Sequence, residues 1–265
     1  GKLGNLPTNT TMMNSVYLIF TMLFPVYAHE TTMKTLRIYH GIDAGSKYPY
    51  VVRIMSRLPK GRKICTGSLI KSNWVLTAGH CIVKVLQFIQ YGNMSISLNI
   101  TETKSTILEM IPHPAFFQPQ LSNDIALIRV NPVLMDYYGS ISAIDYKALM
   151  GYEVETAGFG MTYIPKRKTR NKRKLQSLGI GTPLQLAEAV VNSCDLTHKN
   201  FICTSPKCSY TQLPLHGDSG GPLFFDKKII GVVSSGPEEL SYDNTDRYFT
   251  PVSPYLTWIH EMTSK

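Results

Sequence analysis

Gly217-Asp218-Ser219-Gly220-Gly221-Pro222-Leu223 sets a serine among glycines just ahead of an apolar run. Glycine reaches positive φ at no steric cost, so main-chain N–H groups around Ser219 can turn toward one point. A serine hydroxyl is a poor nucleophile until a neighbouring imidazole takes its proton. Upstream lie two segments with the matching chemistry. Leu76-Thr77-Ala78-Gly79-His80-Cys81 is a strand-like run ending at a histidine, and Asn123-Asp124-Ile125-Ala126-Leu127-Ile128 places an aspartate at the lip of an apolar strand. In this reading His80 is the general base. Asp124, desolvated beside its apolar run, holds the imidazole tautomer and stabilises the imidazolium. The N–H groups of Gly217 and Ser219 receive the developing oxyanion, each donor typically worth about 3 kcal/mol of barrier.

Each segment alone has a bland explanation. A histidine after a strand is usually a packing or surface residue, an aspartate before one a turn or cap, and Gly-rich turns containing serine are common. The rest of the chain supplies the context. Short apolar or alternating runs recur between Gly, Pro, Asn and Ser: Tyr50–Met55, Gly67–Ile70, Trp74–Ala78, Ser95–Ile100, Ile125–Val130, Glu153–Ala157 and Ile229–Ser234. Their length and spacing predict an all-β sandwich or barrel. Two helices are predicted, a short one over Leu186–Leu196 and a better one over Ser253–Met262. In the second, Ser253 is placed as the cap and Pro254 in the first turn, with Tyr255, Trp258, Ile259 and Met262 on one face.

Composition is that of a globular chain: 265 residues, 43% hydrophobic, 10% aromatic and 17% charged. That excludes global disorder and leaves room for one large β domain or two small ones. The net charge of +9 is local. Lys166, Arg167, Lys168, Arg170, Lys172, Arg173 and Lys174 carry seven charges with no acid between them, and residues 1–37 add a further +2, leaving the remainder neutral. The 166–174 run reads as a solvated loop or as a site for a polyanion, whose affinity would fall steeply with salt. It lacks interleaved aromatics, which weighs against sequence-specific nucleic-acid readout.

Val16–Phe24 is apolar and is followed by Pro25-Val26-Tyr27-Ala28, the pattern of a signal segment cut after Ala28. The run is about half the roughly 20 residues a membrane span needs. Residues 1–28 are thus read as upstream residues plus signal segment, and the mature protein as secreted. Export makes disulfides plausible, and the 5 cysteines leave one over: Cys65, Cys81, Cys194, Cys203 and Cys208. Sequons at Asn93 and Asn99 fit the same compartment; a third, at Asn9, falls in the leader.

The three motifs, in the order His80, Asp124, Ser219 and 44 and 95 residues apart, resemble those of the trypsin/chymotrypsin family of serine proteases. The resemblance runs from about Ile38 to the end. It implies a chymotrypsin-like fold, two packed six-stranded Greek-key β-barrels with a C-terminal helix, and a serine-type endopeptidase that needs no cofactor or metal. Arg37-Ile38-Tyr39-His40-Gly41 is similar to the family's activation site. Residues 29–37 are then the propeptide, 38–265 the protease domain and Asp218 the partner of the new Ile38 ammonium, with an activating trypsin-like protease required. Tyr39-His40 departs from the family's small residue followed by glycine. The resemblance also implies a bridge between Cys65 and Cys81 and a second between Cys194 and Cys203, with Cys208 a rival partner for either. Two family bridges are replaced by apolar residues, at Val154 and Phe225 and at Leu215 and Leu240, the latter beside the substrate pocket.

The pocket is assigned to Leu213, Ser234, Ser235, Gly236 and Arg247. Leu213 stands on the floor where trypsin-like enzymes carry an aspartate, which predicts no preference for Arg or Lys. Leu213, Pro214 and Gly236 suggest an apolar preference, and Ser235 replaces a large aromatic. Arg247 falls on a wall where the family usually has glycine. Three outcomes are open: its guanidinium pairs with a substrate Asp or Glu, it fills the pocket and weakens the enzyme, or a register shift leaves it on the surface. The altered pocket also admits a different class of function, a protease-like binding or regulatory protein.

Overall fold

The computed structural model describes residues 38, 41–58, 61–92, 103–160, 183–195, 197–207, 212–214, 216–236 and 246–265. Among them lie thirteen strands and a single α-helix. After the two-residue β1 (Ile42–Asp43) come β2 (Val51–Leu58), β3 (Gly61–Lys71), β4 (Trp74–Thr77), β5 (Leu86–Gln90), β6 (Lys104–Pro112) and β7 (Ala126–Val130). These last six close into an antiparallel barrel in the order β2-β3-β4-β7-β6-β5.

The second half repeats the design with β8 (Glu153–Gly158), β9 (Gln185–Asn192), β10 (Ile202–Pro206), β11 (Pro222–Phe225), β12 (Lys228–Ser235) and β13 (Arg247–Pro251). Their order is β9-β10-β13-β12-β11-β8, and β8 pairs back onto β9 to close the ring. Strand β1 adds to β9 through Ile42↔Leu186 and Asp43↔Gln185, so the start of the domain is stitched to the second barrel. The two six-stranded antiparallel barrels give the chymotrypsin-like fold. Closing sheets this small needs bends, and bulges supply them. One lies between Val233 and Ser235, where β12 carries a residue more than β13.

Burial follows the strands. One core gathers Val52, Ile54, Leu69, Val75, Leu76, Ile89 and Leu127 of the first barrel with Ala157, Phe159, Phe224 and Val232 of the second. A second core lies inside the second barrel around Leu149, Val154, Val191, Ile202, Leu223 and Phe249, with Phe225 packed against it. Val154 and Phe225 thus contribute apolar bulk to one core where the family has a bridge.

The predicted helix over Leu186–Leu196 is corrected: residues 186–192 belong to β9, 193–195 to no helix or strand, and Leu196 lies outside the described residues. Leu186, Ala187, Ala189 and Val191 are all buried, and β9 is paired on both edges by β8 and by β1 and β10. A strand apolar on both faces loses its period of two and mimics a buried helix. Over the predicted C-terminal helix, a 3-10 turn at Ser253–Tyr255 leads into α1 (Leu256–Thr263). Pro254 lies in that turn, but the cap of the turn is Val252 and that of α1 is Tyr255, so Ser253 caps neither. Tyr255, Trp258, Ile259 and Met262 pack on the larger core, the face expected of them. The predicted strand Ser95–Ile100, the sequons Asn93 and Asn99, the 166–174 run, Arg37, Tyr39-His40, Leu215, Leu240 and Cys208 lie outside the described residues.

Candidate active site

Strand β4 ends at Thr77, and the chain turns through the 3-10 segment Gly79–Cys81 to present His80. Asp124 immediately precedes Ile125 and β7, the neighbour of β4 in the barrel, so the pairing of those strands brings the two residues together. The Asp124 carboxylate is fully buried. Its Oδ1 accepts the His80 main-chain N–H at 2.8 Å, and its Oδ2 lies 2.7 Å from His80 Nδ1. A carboxylate facing Nδ1 calls for the proton on that nitrogen and leaves the Nε2 lone pair as the basic site of the ring. The Ser234 hydroxyl donates to the same Oδ2 at 2.6 Å. Ser234 is the extra residue of the β12 bulge, and the bulge turns its side chain to this purpose. Lys63 Nζ donates to the His80 carbonyl at 3.0 Å; burial lowers the lysine's pKa, and the Asp124 charge opposes that shift.

Disulfides join Cys65 to Cys81 and Cys194 to Cys203. The Cys81 sulfur lies 3.9 Å from His80 Nε2 and 3.5 Å from the Ser219 carbonyl oxygen, so one bridge lies against both the imidazole and the Ser219 main chain. The sulfurs of Cys65 and Cys81 and the His80 ring form the one cluster of metal-ligand type among the described residues. Oxidised to a disulfide, the sulfurs are not thiolates and do not suit a metal ion. Among the described residues no hydrogen bond joins the Ser219 hydroxyl to His80 or to any other group.

Ser219 is carried by a loop between two glycines with positive φ, Gly217 at 105° and Gly220 at 78°. At Gly220 a side chain is also excluded by space, since a Cβ would run into Thr77 Oγ1 and come 2.5 Å from the Thr66 carbonyl oxygen. The loop is pinned by Gly220 N–H to the Val233 carbonyl at 2.7 Å and by Thr66 N–H to the Ser219 carbonyl at 2.8 Å. Among the described residues the N–H groups of Gly217 and Ser219 are given to no hydrogen bond.

A family model described as Trypsin matches residues 40–259. The chain belongs to the trypsin family. It is 30% identical over 247 residues to "Serine protease SSP1" of Scolopendra subspinipes, covering 86% of this chain and 83% of that one. It is 31% identical over 240 residues to "Granzyme-like protein 1" of Rattus norvegicus, covering 85% and 90%. The solved structure of HL collagenase superposes with a TM-score of 0.66 at 23% identity, over 86% of this chain and 99% of the other, a likeness of fold.

For this member of the trypsin family the pocket residues divide. Leu213 is buried, and Gly236 follows the end of β12. Arg247 is not on the surface; it is 4% exposed, in β13 opposite Thr204 of β10. Its Nε donates to the Pro214 carbonyl at 3.1 Å and its Nη1 to the Asp246 carbonyl at 2.8 Å. The guanidinium lies so close to Gly236 that a Cβ there would stand 3.0 Å from both nitrogens. Burial presses the Arg247 pKa down to about 10, with Asp246 the main opposing charge, so it is still a cation at neutral pH. Ser235 pairs with Tyr248 in the β12–β13 ladder.

Ile38 and Asp218 are both buried, and Asp218 Oδ1 accepts the Gly160 N–H at 2.6 Å. A residue that sequence reasoning did not single out is Thr66. Nothing in its strand-like run marks it, because its partners lie 93 and 151 positions away.

Proposed function

We propose that this chain is a secreted serine endopeptidase that hydrolyses peptide bonds through an acyl-enzyme on Ser219, after cleavage following Arg37 frees Ile38. One observation carries the reading: Asp124 binds both the main chain and Nδ1 of His80, leaving Nε2 basic over the disulfide sulfur that also touches Ser219. Ser219 Oγ attacks the peptide carbonyl carbon as its proton passes to His80 Nε2. The oxygen that gains the negative charge is received by the N–H groups of Gly217 and Ser219. Collapse breaks the C–N bond, the departing amine takes the proton from His80, and a water molecule repeats the sequence on the ester.

The buried Ile38 and Asp218 support the activation step. A new ammonium at Ile38 is tolerable in an apolar site only as an ion pair, and breaking such a pair costs roughly 3–5 kcal/mol. Export is supported by the Val16–Phe24 segment, by two disulfides and by the sequons at Asn93 and Asn99, which we read as glycosylated. Among the described residues no helix is long and apolar enough to cross a membrane. The 166–174 run is the candidate polyanion site.

The buried guanidinium of Arg247 sets the specificity question. Beside Pro214 and Gly236 it suits a substrate Asp or Glu before the scissile bond. Should it instead close the pocket, the chain is a protease-like binding or regulatory protein. An active-site label separates the two classes. After cleavage at Arg37, a fluorophosphonate modifies Ser219 stoichiometrically in a hydrolase, and Ser219→Ala lowers turnover about a million-fold while binding persists. Correctly cleaved protein that takes up no label removes the hydrolase reading.

A further inference from the structure

Thr66, on β3 of the first barrel, grips the Ser219 loop of the second barrel at two points. Its main-chain N–H donates to the Ser219 carbonyl at 2.8 Å, and its hydroxyl donates to the Gly217 carbonyl at 2.8 Å. The same hydroxyl oxygen accepts the Phe159 N–H at 3.2 Å, while the Thr66 carbonyl accepts the Thr77 hydroxyl at 2.9 Å. The residue is wholly buried, and its N–H, carbonyl and hydroxyl are all engaged.

The two carbonyls it holds flank Asp218. A peptide unit is planar, so holding the Gly217 oxygen orients the unit between 217 and 218, and holding the Ser219 oxygen orients the unit between 219 and 220. The unit that carries the Ser219 N–H lies between these two held planes, and the unit that carries the Gly217 N–H is joined to the first through the Gly217 Cα. Gly217, at a φ of 105°, has no side chain to hold it there; its torsions are set by what its peptide groups bond to. The relay has a firm origin. Phe159 feeds the Thr66 hydroxyl, and the next residue, Gly160, donates to Asp218 Oδ1 at 2.6 Å, so one stretch after β8 secures both the carbonyl before Asp218 and its carboxylate.

We propose that Thr66 is a positioning residue for the anion-receiving N–H groups of Gly217 and Ser219, its hydroxyl relaying order from Phe159 to the Gly217 carbonyl. The proposal rests on the hydrolase reading above. Donors of this kind act only when aimed at the place where charge develops, so a small rotation weakens the transition state and spares ground-state binding.

The test compares Thr66→Val, which removes the hydroxyl at nearly constant shape, with Thr66→Ser, which keeps it. Thr66→Ala serves if the valine does not fold. Each is made in the chain cleaved after Arg37, and kcat, KM and the affinity of a peptide boronate, which forms a tetrahedral adduct on Ser219, are measured. Thr66→Val is expected to lose about 10- to 100-fold in kcat with KM within about twofold, as for partial loss of an oxyanion donor. Boronate affinity falls in step, and Thr66→Ser recovers to within about threefold. Unchanged kcat and boronate affinity in folded Thr66→Val overturns the proposal, as does a serine variant as impaired as the valine. A wild-type cleaved chain inert to both fluorophosphonate and boronate removes the hydrolase reading, and this proposal with it.

Discussion

The Ser234 hydroxyl and the His80 Nδ1 meet on one oxygen, Asp124 Oδ2, at 2.6 Å and 2.7 Å. Asp124 is fully buried, so its charge is held by those two contacts and by the His80 N–H on Oδ1. Asp124→Asn replaces an acceptor with a group that also donates and so favours the wrong imidazole tautomer. The expected result is a kcat about 10⁴-fold lower with KM nearly unchanged. Ser234→Ala keeps the tautomer and removes one bond to a buried charge, for a stability loss of about 1–3 kcal/mol in chemical denaturation. Equal kcat losses in the two variants would contradict this division of labour.

The Cys65–Cys81 bridge spans 16 positions and lies under both His80 and Ser219. Replacing both cysteines with alanine is expected to lower stability by about 3 kcal/mol, as for a loop of this size. Turnover should fall further than the folded fraction does, because the floor beneath the imidazole is gone. Activity that tracks the folded fraction alone would show the bridge to be only a staple.

Gly220→Ala meets two obstacles at once, a φ of 78° and a Cβ driven into Thr77 Oγ1. Backbone strain and overpacking together cost about 3 kcal/mol or more. The loop is expected to shift, with loss of fluorophosphonate labelling. Wild-type labelling kinetics in this variant would mean that the loop absorbs the side chain without moving Ser219.

Arg247→Gly removes the guanidinium that lies against Gly236 and the Pro214 carbonyl. In a peptide library varied before the cut, cleavage after Asp or Glu should disappear and cleavage after Phe or Leu should rise at least tenfold, as gained apolar contact allows. Unaltered preference would take Arg247 out of substrate recognition.

Asp195 has its pKa drawn down to about 2, first by the Thr197 hydroxyl and then by His198. A carboxyl depressed in the folded state stabilises it above the unfolded value of about 3.9 and loses that contribution as pH falls toward 2. The turn at 195–198 should therefore loosen at acid pH in the wild type and show no such step in Asp195→Asn. Amide hydrogen exchange at Thr197 and His198, whose N–H groups bond to Asp195, reports it.

Local sequence determined the parts of this protein whose cause is local. The glycines around Ser219 are there because positive φ and close backbone contact require them, the β runs are legible in their alternation, and α1 shows its apolar face. Strand β9 was not legible, because apolar residues fall on both its faces, Leu186 and Val190 on one and Ala187, Ala189 and Val191 on the other, and blur in sequence a period that burial shows only in the fold. Tertiary structure alone decided that Arg247 turns inward, that Ser234 serves Asp124 through a bulge, and that Thr66 reaches residues 93 and 151 positions away. Those choices depend on which strands become neighbours when the barrels close, and side-chain direction at a barrel rim depends on register and bulges that no short window of sequence contains.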